Sequence, residues 1–143
     1  MGERCWRKGM ILERPTQRVI DPKGFPIWQS PDGARKVGLL IGTENCGAKG
    51  MFTILFWLAP GQKTIHDVHP NSEEICYVVS GKATLLLENE TFQVVEGMTI
   101  YIPPGAVHQS INTGEKDLCY FCVFSPPLAK PYRHEVENWR KIR

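Results

Sequence analysis

Short runs of apolar and β-branched residues, each closed by turn-forming residues, recur along most of this 143-residue chain. Runs of this length between glycine, proline and asparagine clusters are typical of β-strands. They occur at Lys36–Thr43, Met51–Leu58, Glu74–Val79, Ala83–Leu87, Phe92–Val95, Thr99–Ile102, Val107–Ile111 and Leu118–Phe124. Many short strands at close spacing predict an all-β fold, either an antiparallel sandwich or a small barrel.

The two ends of the chain differ from this pattern. Residues 1–35 are rich in proline, glycine and polar residues, with brief strand candidates only at Gln17–Ile20 and Phe25–Trp28. We predict that residues 1–35 form an arm lying across the barrel or a neighbouring subunit, that residues 36–130 form the barrel, and that residues 131–143 form a tail. Within the tail, Arg133–Trp139 is the one candidate for a short helix.

Composition and charge argue against several kinds of partner. The formal net charge is only +2, and the one concentrated basic stretch is the end of the chain, so no nucleic-acid partner is expected. No apolar run is long enough to span a bilayer, and four of the first ten residues are charged, where a signal peptide would need an apolar segment. The sequence therefore predicts a soluble, cytoplasmic protein with no membrane partner.

The five cysteines are an odd number, and we expect reduced thiols in that compartment. Cys119 and Cys122 form a CxxC, a spacing used by zinc and redox sites. Their segment reads as a strand, however, and residues three apart on a strand face opposite sides. We interpret both as small core residues.

The stretch HDVHPNSEEICYVVSG, residues 66–81, gathers the polar groups with the clearest chemistry. If Thr64–His69 is a strand, Asp67 and His69 share one face and His66 takes the other. A turn at Pro70-Asn71-Ser72 then folds Glu74 back beside His69, and His108 follows a separate Pro-Pro-Gly turn. Two imidazoles and one carboxylate with open positions suit non-haem Fe(II), and related sets hold Mn, Ni or Zn.

Both segments resemble the two sequence motifs of the cupin superfamily, whose members fold as double-stranded β-helix, or jelly-roll, barrels. The second motif, G-x5-P-x-G-x2-H-x3-N, is matched without a gap by Gly97, Pro103, Gly105, His108 and Asn112. The first, G-x5-H-x-H-x4-E-x6-G, is matched by Gly61, His69, Glu74 and Gly81, with Asp67 in place of its first histidine. The resemblance implies the jelly-roll fold and one divalent transition metal ion bound by His69, Glu74 and His108.

Asp67 leaves three arrangements open. Asp67 can ligate the ion directly, which would give two carboxylates and a weaker Lewis acid. It can instead stand beside an ion held by His69, Glu74 and His108, as a proton acceptor or orienting partner. A bulge can also turn His66 inward to restore three histidines. We favour the second, because the order Asp, His, Glu, His resembles that of the 3-hydroxyanthranilate dioxygenases, cupins that bind iron through two His and one Glu. This chain departs from them in having no arginine beside the ligands.

The resemblance implies a metal-dependent enzyme acting on a small oxygen-bearing molecule, as an oxygenase or as a lyase, isomerase or decarboxylase. A non-catalytic small-ligand binder and a metal-free cyclase are the alternatives, since the superfamily hosts all of these. Asp67 or Tyr101 would serve as base or acid, and Lys63 is either a substrate carboxylate contact or a solvated rim lysine. The arm and the open strand edges favour a homodimer.

Overall fold

The computed structural model describes residues 17–128 and 138–143. Ten strands and one short helix follow in chain order: β1 (Ile27–Gln29), β2 (Arg35–Leu39), α1 (Thr43–Cys46), β3 (Phe52–Leu58), β4 (Glu73–Ser80), β5 (Lys82–Leu87), β6 (Glu90–Val95), β7 (Thr99–Ile102), β8 (His108–Asn112), β9 (Leu118–Ser125) and β10 (Arg140–Lys141). The predicted all-β class is confirmed.

The strands form two antiparallel sheets. A seven-stranded sheet has the order β10-β1-β2-β3-β9-β4-β7, and a three-stranded sheet has the order β6-β5-β8. Non-consecutive neighbours such as β9 and β4 are the crossovers of a jelly roll, which is the fold that the two motifs implied.

Strand alternation builds the interior. Along β4, the side chains of Glu74, Cys76 and Val78 are buried while those between them are exposed. The inward faces of β2, β3, β5 and β9 add Val37, Ile54, Phe56, Leu58, Ala83, Leu85, Leu118, Tyr120, Cys122 and Phe124 to the same cluster. Burial of these apolar surfaces is the main favourable term for the fold. Glu74 is a carboxylate on an otherwise apolar face, and that exception marks the candidate site.

One predicted strand is too long and another is absent. The run at Lys36–Thr43 ends as a strand at Leu39, and the helix α1 begins at Thr43. Asn45 stabilises this turn by accepting a hydrogen bond from the backbone N–H of Gly42 at 3.0 Å, and Gly47 ends it with a φ of 69°. Gln17–Ile20 forms no strand.

The predicted strand at Thr64–His69 is also wrong. The chain from Lys63 to His69 makes two isolated bridges, Lys63 with Ile111 and Asp67 with His108, and is otherwise irregular. The period-two alternation of side chains therefore does not hold between the two bridges. The consequence for the site is described below.

The described parts of the arm and tail extend the seven-stranded sheet. β1 pairs with β2 on one side and with β10 on the other. The guanidinium of Arg143 donates to the carbonyl oxygens of Phe25 and Pro22. The predicted helix at Arg133–Trp139 lies almost entirely outside the described residues. In the described part of the chain, no helix has the length and apolar character needed to cross a membrane.

Candidate metal centre

Three separate parts of the chain bring their donor atoms together at one end of the barrel. Glu74 points inward from β4, His108 begins β8, and His69 ends the irregular segment before the Pro70 turn. The Oε2 atom of Glu74 lies 3.3 Å from Nε2 of His69 and 3.5 Å from Nε2 of His108. The structure thus brings together the two histidines and the glutamate that the motif spacing predicted.

The Oε2 atom of Glu74 is the observation that tests whether these residues fit a metal ion. It is buried, and it has no hydrogen-bond partner among the described residues. A buried carboxylate oxygen without a partner is costly unless a cation or donor satisfies it. Because this oxygen faces two imidazole nitrogens, the three atoms fit a divalent transition metal ion, the group that such a donor set binds.

His108 is oriented as a metal-ligating histidine requires. Its Nδ1 lies 3.0 Å from the carbonyl oxygen of Ala106. A carbonyl can only accept, so Nδ1 carries the proton and the lone pair lies on Nε2, which faces Glu74. His69 is held differently, with its ring packed edge-on against Phe124 at a centroid distance of 5.2 Å.

Asp67 lies at the edge of the same cluster. Its backbone exchanges two hydrogen bonds with His108, of 2.8 and 2.9 Å. Its Oδ2 lies 3.9 Å from Nε2 of His69, and its Oδ1 accepts from the N–H of Val68 at 3.0 Å. Asp67, His69 and His108 each offer a ligand atom within 4.8 Å of the others. This geometry is compatible with Asp67 either as a ligand or as a neighbour of the ion.

Three of the predicted site residues lie elsewhere. His66 and Lys63 are exposed and do not line the pocket around the cluster. Because the backbone is irregular here, Thr64 faces the pocket in the place that strand alternation gave to Lys63. Tyr101 is 54% exposed on the outer face of β7 and donates to Oε1 of Glu73 at 2.8 Å. That hydrogen bond raises the pKa of Tyr101. Tyr101 therefore lies outside the lining of the pocket around the cluster, where its predicted role as an acid or base would need it.

The carboxylate of Glu74 accepts a hydrogen bond from one of two adjacent buried thiols. Cys76 donates to Oε1 of Glu74 at 3.1 Å, and the sulfurs of Cys76 and Cys122 lie 3.5 Å apart. The hydrogen bond to Cys122 and burial raise the pKa of Cys76 well above its usual value. Cys119 and Cys122 are both buried, as expected, and the partner of Cys122 is Cys76.

The cluster opens into a cavity of about 50 Å³. Its lining includes three residues that the sequence did not suggest, Arg35, Thr64 and Cys76, so an arginine does lie at the cavity although none is near the ligands in the sequence. Cys76 could have been found, since it lies two residues after Glu74 on one strand. Arg35 shares its strand face with buried Val37, but the position of that face relative to the ligands depends on the whole sheet. A space this size holds a metal ion with a few waters or a small ligand.

Comparison with known proteins agrees with the fold and the motifs. Residues 54–124, a span that holds all four residues of the cluster, match the cupin domain family. The chain belongs to the cupin superfamily. An uncharacterised protein of Methanocaldococcus jannaschii is 43% identical over 75 residues, which are 52% of this chain and 57% of that protein.

Two further comparisons cover more of this cupin. The polyketide synthase CurC of Streptomyces cyaneus is 28% identical over 127 residues, 89% of this chain and 81% of that protein. The crystal structure of an RmlC-like cupin from Shewanella frigidimarina matches with a TM-score of 0.67 at 15% identity, over 87% of this chain and 100% of that one. The structural match supports the fold alone.

Proposed function

We propose that this cupin is a metal-dependent enzyme acting on a small, oxygen-bearing organic molecule. His69, Glu74 and His108 hold one divalent transition metal ion, with Fe(II) preferred and Mn, Ni or Zn as alternatives. The observation that carries the proposal is the buried Oε2 of Glu74, unpartnered among the described residues and facing both imidazoles. The reaction is an oxygenation or a lyase, isomerase or decarboxylase step.

The donor set determines the chemistry that the centre supplies. Two neutral imidazoles and one carboxylate cancel only one of the two charges of a divalent ion, so the bound ion remains a Lewis acid for substrate oxygens. In this proposal the side chains around it do the rest. His108 keeps a single tautomer through Ala106, and Cys76 fixes the carboxylate of Glu74.

Asp67 is the proposed proton acceptor. Its Oδ2 lies 3.9 Å from Nε2 of His69, at the edge of the cluster. There it can act beside the ion without displacing Glu74 as a ligand. An ionised carboxylate at this place can take a proton from a carbon next to a bound carbonyl or from a bound hydroxyl. The irregular backbone between Lys63 and Asp67 also turns Thr64 towards the cavity.

The small cavity and the relatives together suggest which substrates to test. A volume of about 50 Å³ admits only the reacting part of a molecule. The Streptomyces relative is named a polyketide synthase, and polyketides are rich in carbonyl groups. Small 1,3-diketones therefore head the panel, followed by catechols and aromatic acids.

The experiment measures turnover of that panel by protein loaded separately with each of the four metals. Oxygen uptake detects an oxygenase, and product analysis under nitrogen detects the other reaction types. We expect turnover with one metal, lost in His108→Ala and kept in Tyr101→Phe, which alters only the outer face. Ligand binding without turnover at any metal would identify a non-catalytic binder, and turnover by the metal-free protein would identify a metal-free cyclase.

We also propose that the protein is a homodimer. Ile75, Tyr77, Val79 and Tyr101 lie on the outer face of β4 and β7 and are each at least 40% exposed. β7 is an edge strand of the seven-stranded sheet. A contiguous apolar face beside an open edge is typical of a subunit contact.

A further inference from the structure

A second group of donor atoms adjoins the histidine centre at Glu74. It consists of a carboxylate oxygen of Glu74 and the sulfurs of Cys76 and Cys122, all within 4.8 Å of one another, and Oε1 of Glu74 lies 3.1 Å from the sulfur of Cys76. All three residues are buried, with exposed fractions of 6%, 2% and 3%. We propose that this group, the thiol site, binds a thiophilic metal ion of the Zn²⁺ class, in addition to the ion proposed for the histidines.

The distances fit tetrahedral coordination. With a metal–sulfur bond of about 2.3 Å and a metal–oxygen bond of about 2.1 Å, the sulfur–sulfur edge of a tetrahedron is about 3.8 Å and the sulfur–oxygen edge about 3.6 Å. The thiol site has 3.5 Å between the sulfurs and 3.1 Å between Cys76 and Glu74. Along these two edges, ligation therefore requires the donors to separate by about 0.3 to 0.5 Å.

The sheet holds these donors in place before any ion binds. Cys76 and Cys122 are direct cross-strand partners in β4 and β9, and Glu74 is partnered with Phe124 in the same ladder. Side chains on one face of paired strands are the closest cross-strand neighbours. The donors thus come from two strands paired on both sides within the sheet, so little ordering is needed on binding.

Access and charge are also consistent with a metal ion. Cys76 and Cys122 line the same cavity as His69 and His108, so one opening serves both groups. Each group uses a different oxygen of Glu74, Oε1 for the thiols and Oε2 for the imidazoles. The ion replaces the two thiol protons, which leave to solvent, and no oxidation is involved.

The test uses Co²⁺ alone, titrated into metal-free protein in a Cys5→Ser/Cys46→Ser background that removes two other thiols. Thiolate ligation gives a sulfur-to-metal charge-transfer band that imidazole and carboxylate ligands do not give. We expect the band to saturate at one ion per chain and to persist in His69→Ala/His108→Ala. It should disappear in Cys76→Ser/Cys122→Ser and remain in Cys119→Ser, the matched buried control.

The titration of the Cys5→Ser/Cys46→Ser background protein decides the matter even if a further variant fails to fold. No charge-transfer band in folded background protein would overturn the thiol site. A band that survives in folded Cys76→Ser/Cys122→Ser would also overturn it. The double-histidine variant separates the two proposals, because it removes the histidine centre and leaves both thiols.

Discussion

At the scale of single residues, Asp67 decides how the histidine centre works. We predict that Asp67→Asn keeps the metal, because three ligands remain, and loses activity by roughly 10²- to 10⁴-fold, the usual contribution of a general base. Asp67→His should bind the metal more tightly, because it adds an imidazole, without restoring full activity. Metal content and steady-state rates measure both effects.

The control for Asp67 is His66→Ala, since His66 is the exposed neighbouring residue. It should leave metal content and rate unchanged. Loss of metal from Asp67→Asn would make Asp67 a ligand, and unchanged activity in both Asp67 variants would reduce it to a solvated carboxylate.

The residues of the cluster differ in how far the sequence could predict them. The motif spacing predicted that His69, Glu74 and His108 come together. It could do so because the backbone path of the fold determines which residues of the two segments meet. Lys63 and Tyr101 were assigned from local parity and polarity alone. The alternation of side chains along a strand gave the wrong direction for Lys63, because its segment is not a regular strand. Tyr101 lies on the outer side of a sheet whose inner side carries Ile100 and Ile102.

At the scale of elements, the strand β9 carries buried thiols that give stability a pH dependence. Burial raises the pKa of Cys119 from its usual value near 9.0 to about 12. The folded protein keeps this proton while the unfolded chain loses it, so the contribution of Cys119 to stability is complete below about pH 9 and is lost as pH rises towards about 12.

We predict that the free energy of unfolding, measured with denaturant at several pH values from about 8 to 11, falls more steeply for wild type than for Cys119→Ala. Cys46→Ala is the control, because Cys46 is only half-buried and lies outside the barrel core. Equal slopes for wild type and Cys119→Ala would show that Cys119 is not desolvated in the folded state.

Most strands could be predicted within a few residues, because apolar alternation and turn residues are local properties. The helix α1 was missed because its four residues are too few for a helical period and its stability comes from Asn45 and Gly47. The segment before His69 was wrongly predicted to be a strand. Its apolar residues Ile65 and Val68 suggested one, although both are exposed.

At the scale of the whole molecule, the apolar outer face of β4 is the predicted subunit contact. We expect wild type to sediment as a dimer at micromolar concentration and Ile75→Lys to sediment as a monomer, because a charge on this face would be buried without a partner. Phe92→Lys is a matched control, since Phe92 is similarly exposed on β6 of the other sheet. A wild-type monomer, or dissociation by both variants, would contradict the predicted contact.

The overall jelly roll could be predicted from the sequence, and the shape of its cavity could not. The two motifs cover one part of the barrel and imply its topology. The cavity is closed by Arg35 from β2, Tyr120 from β9 and Thr64 from an irregular segment. Their convergence depends on sheet order and register, which no local pattern encodes.

The central claim is that His69, Glu74 and His108 hold one divalent transition metal ion, and metal content tests it most directly. The parent protein is Cys76→Ser/Cys122→Ser, which lacks the thiol site. The parent and its His108→Ala derivative are each dialysed against the same metal-buffered solution and compared by elemental analysis. We predict one ion per chain for the parent and a loss of at least tenfold in affinity for His108→Ala, with the fold retained by circular dichroism. Equal occupancy in both proteins would contradict the account.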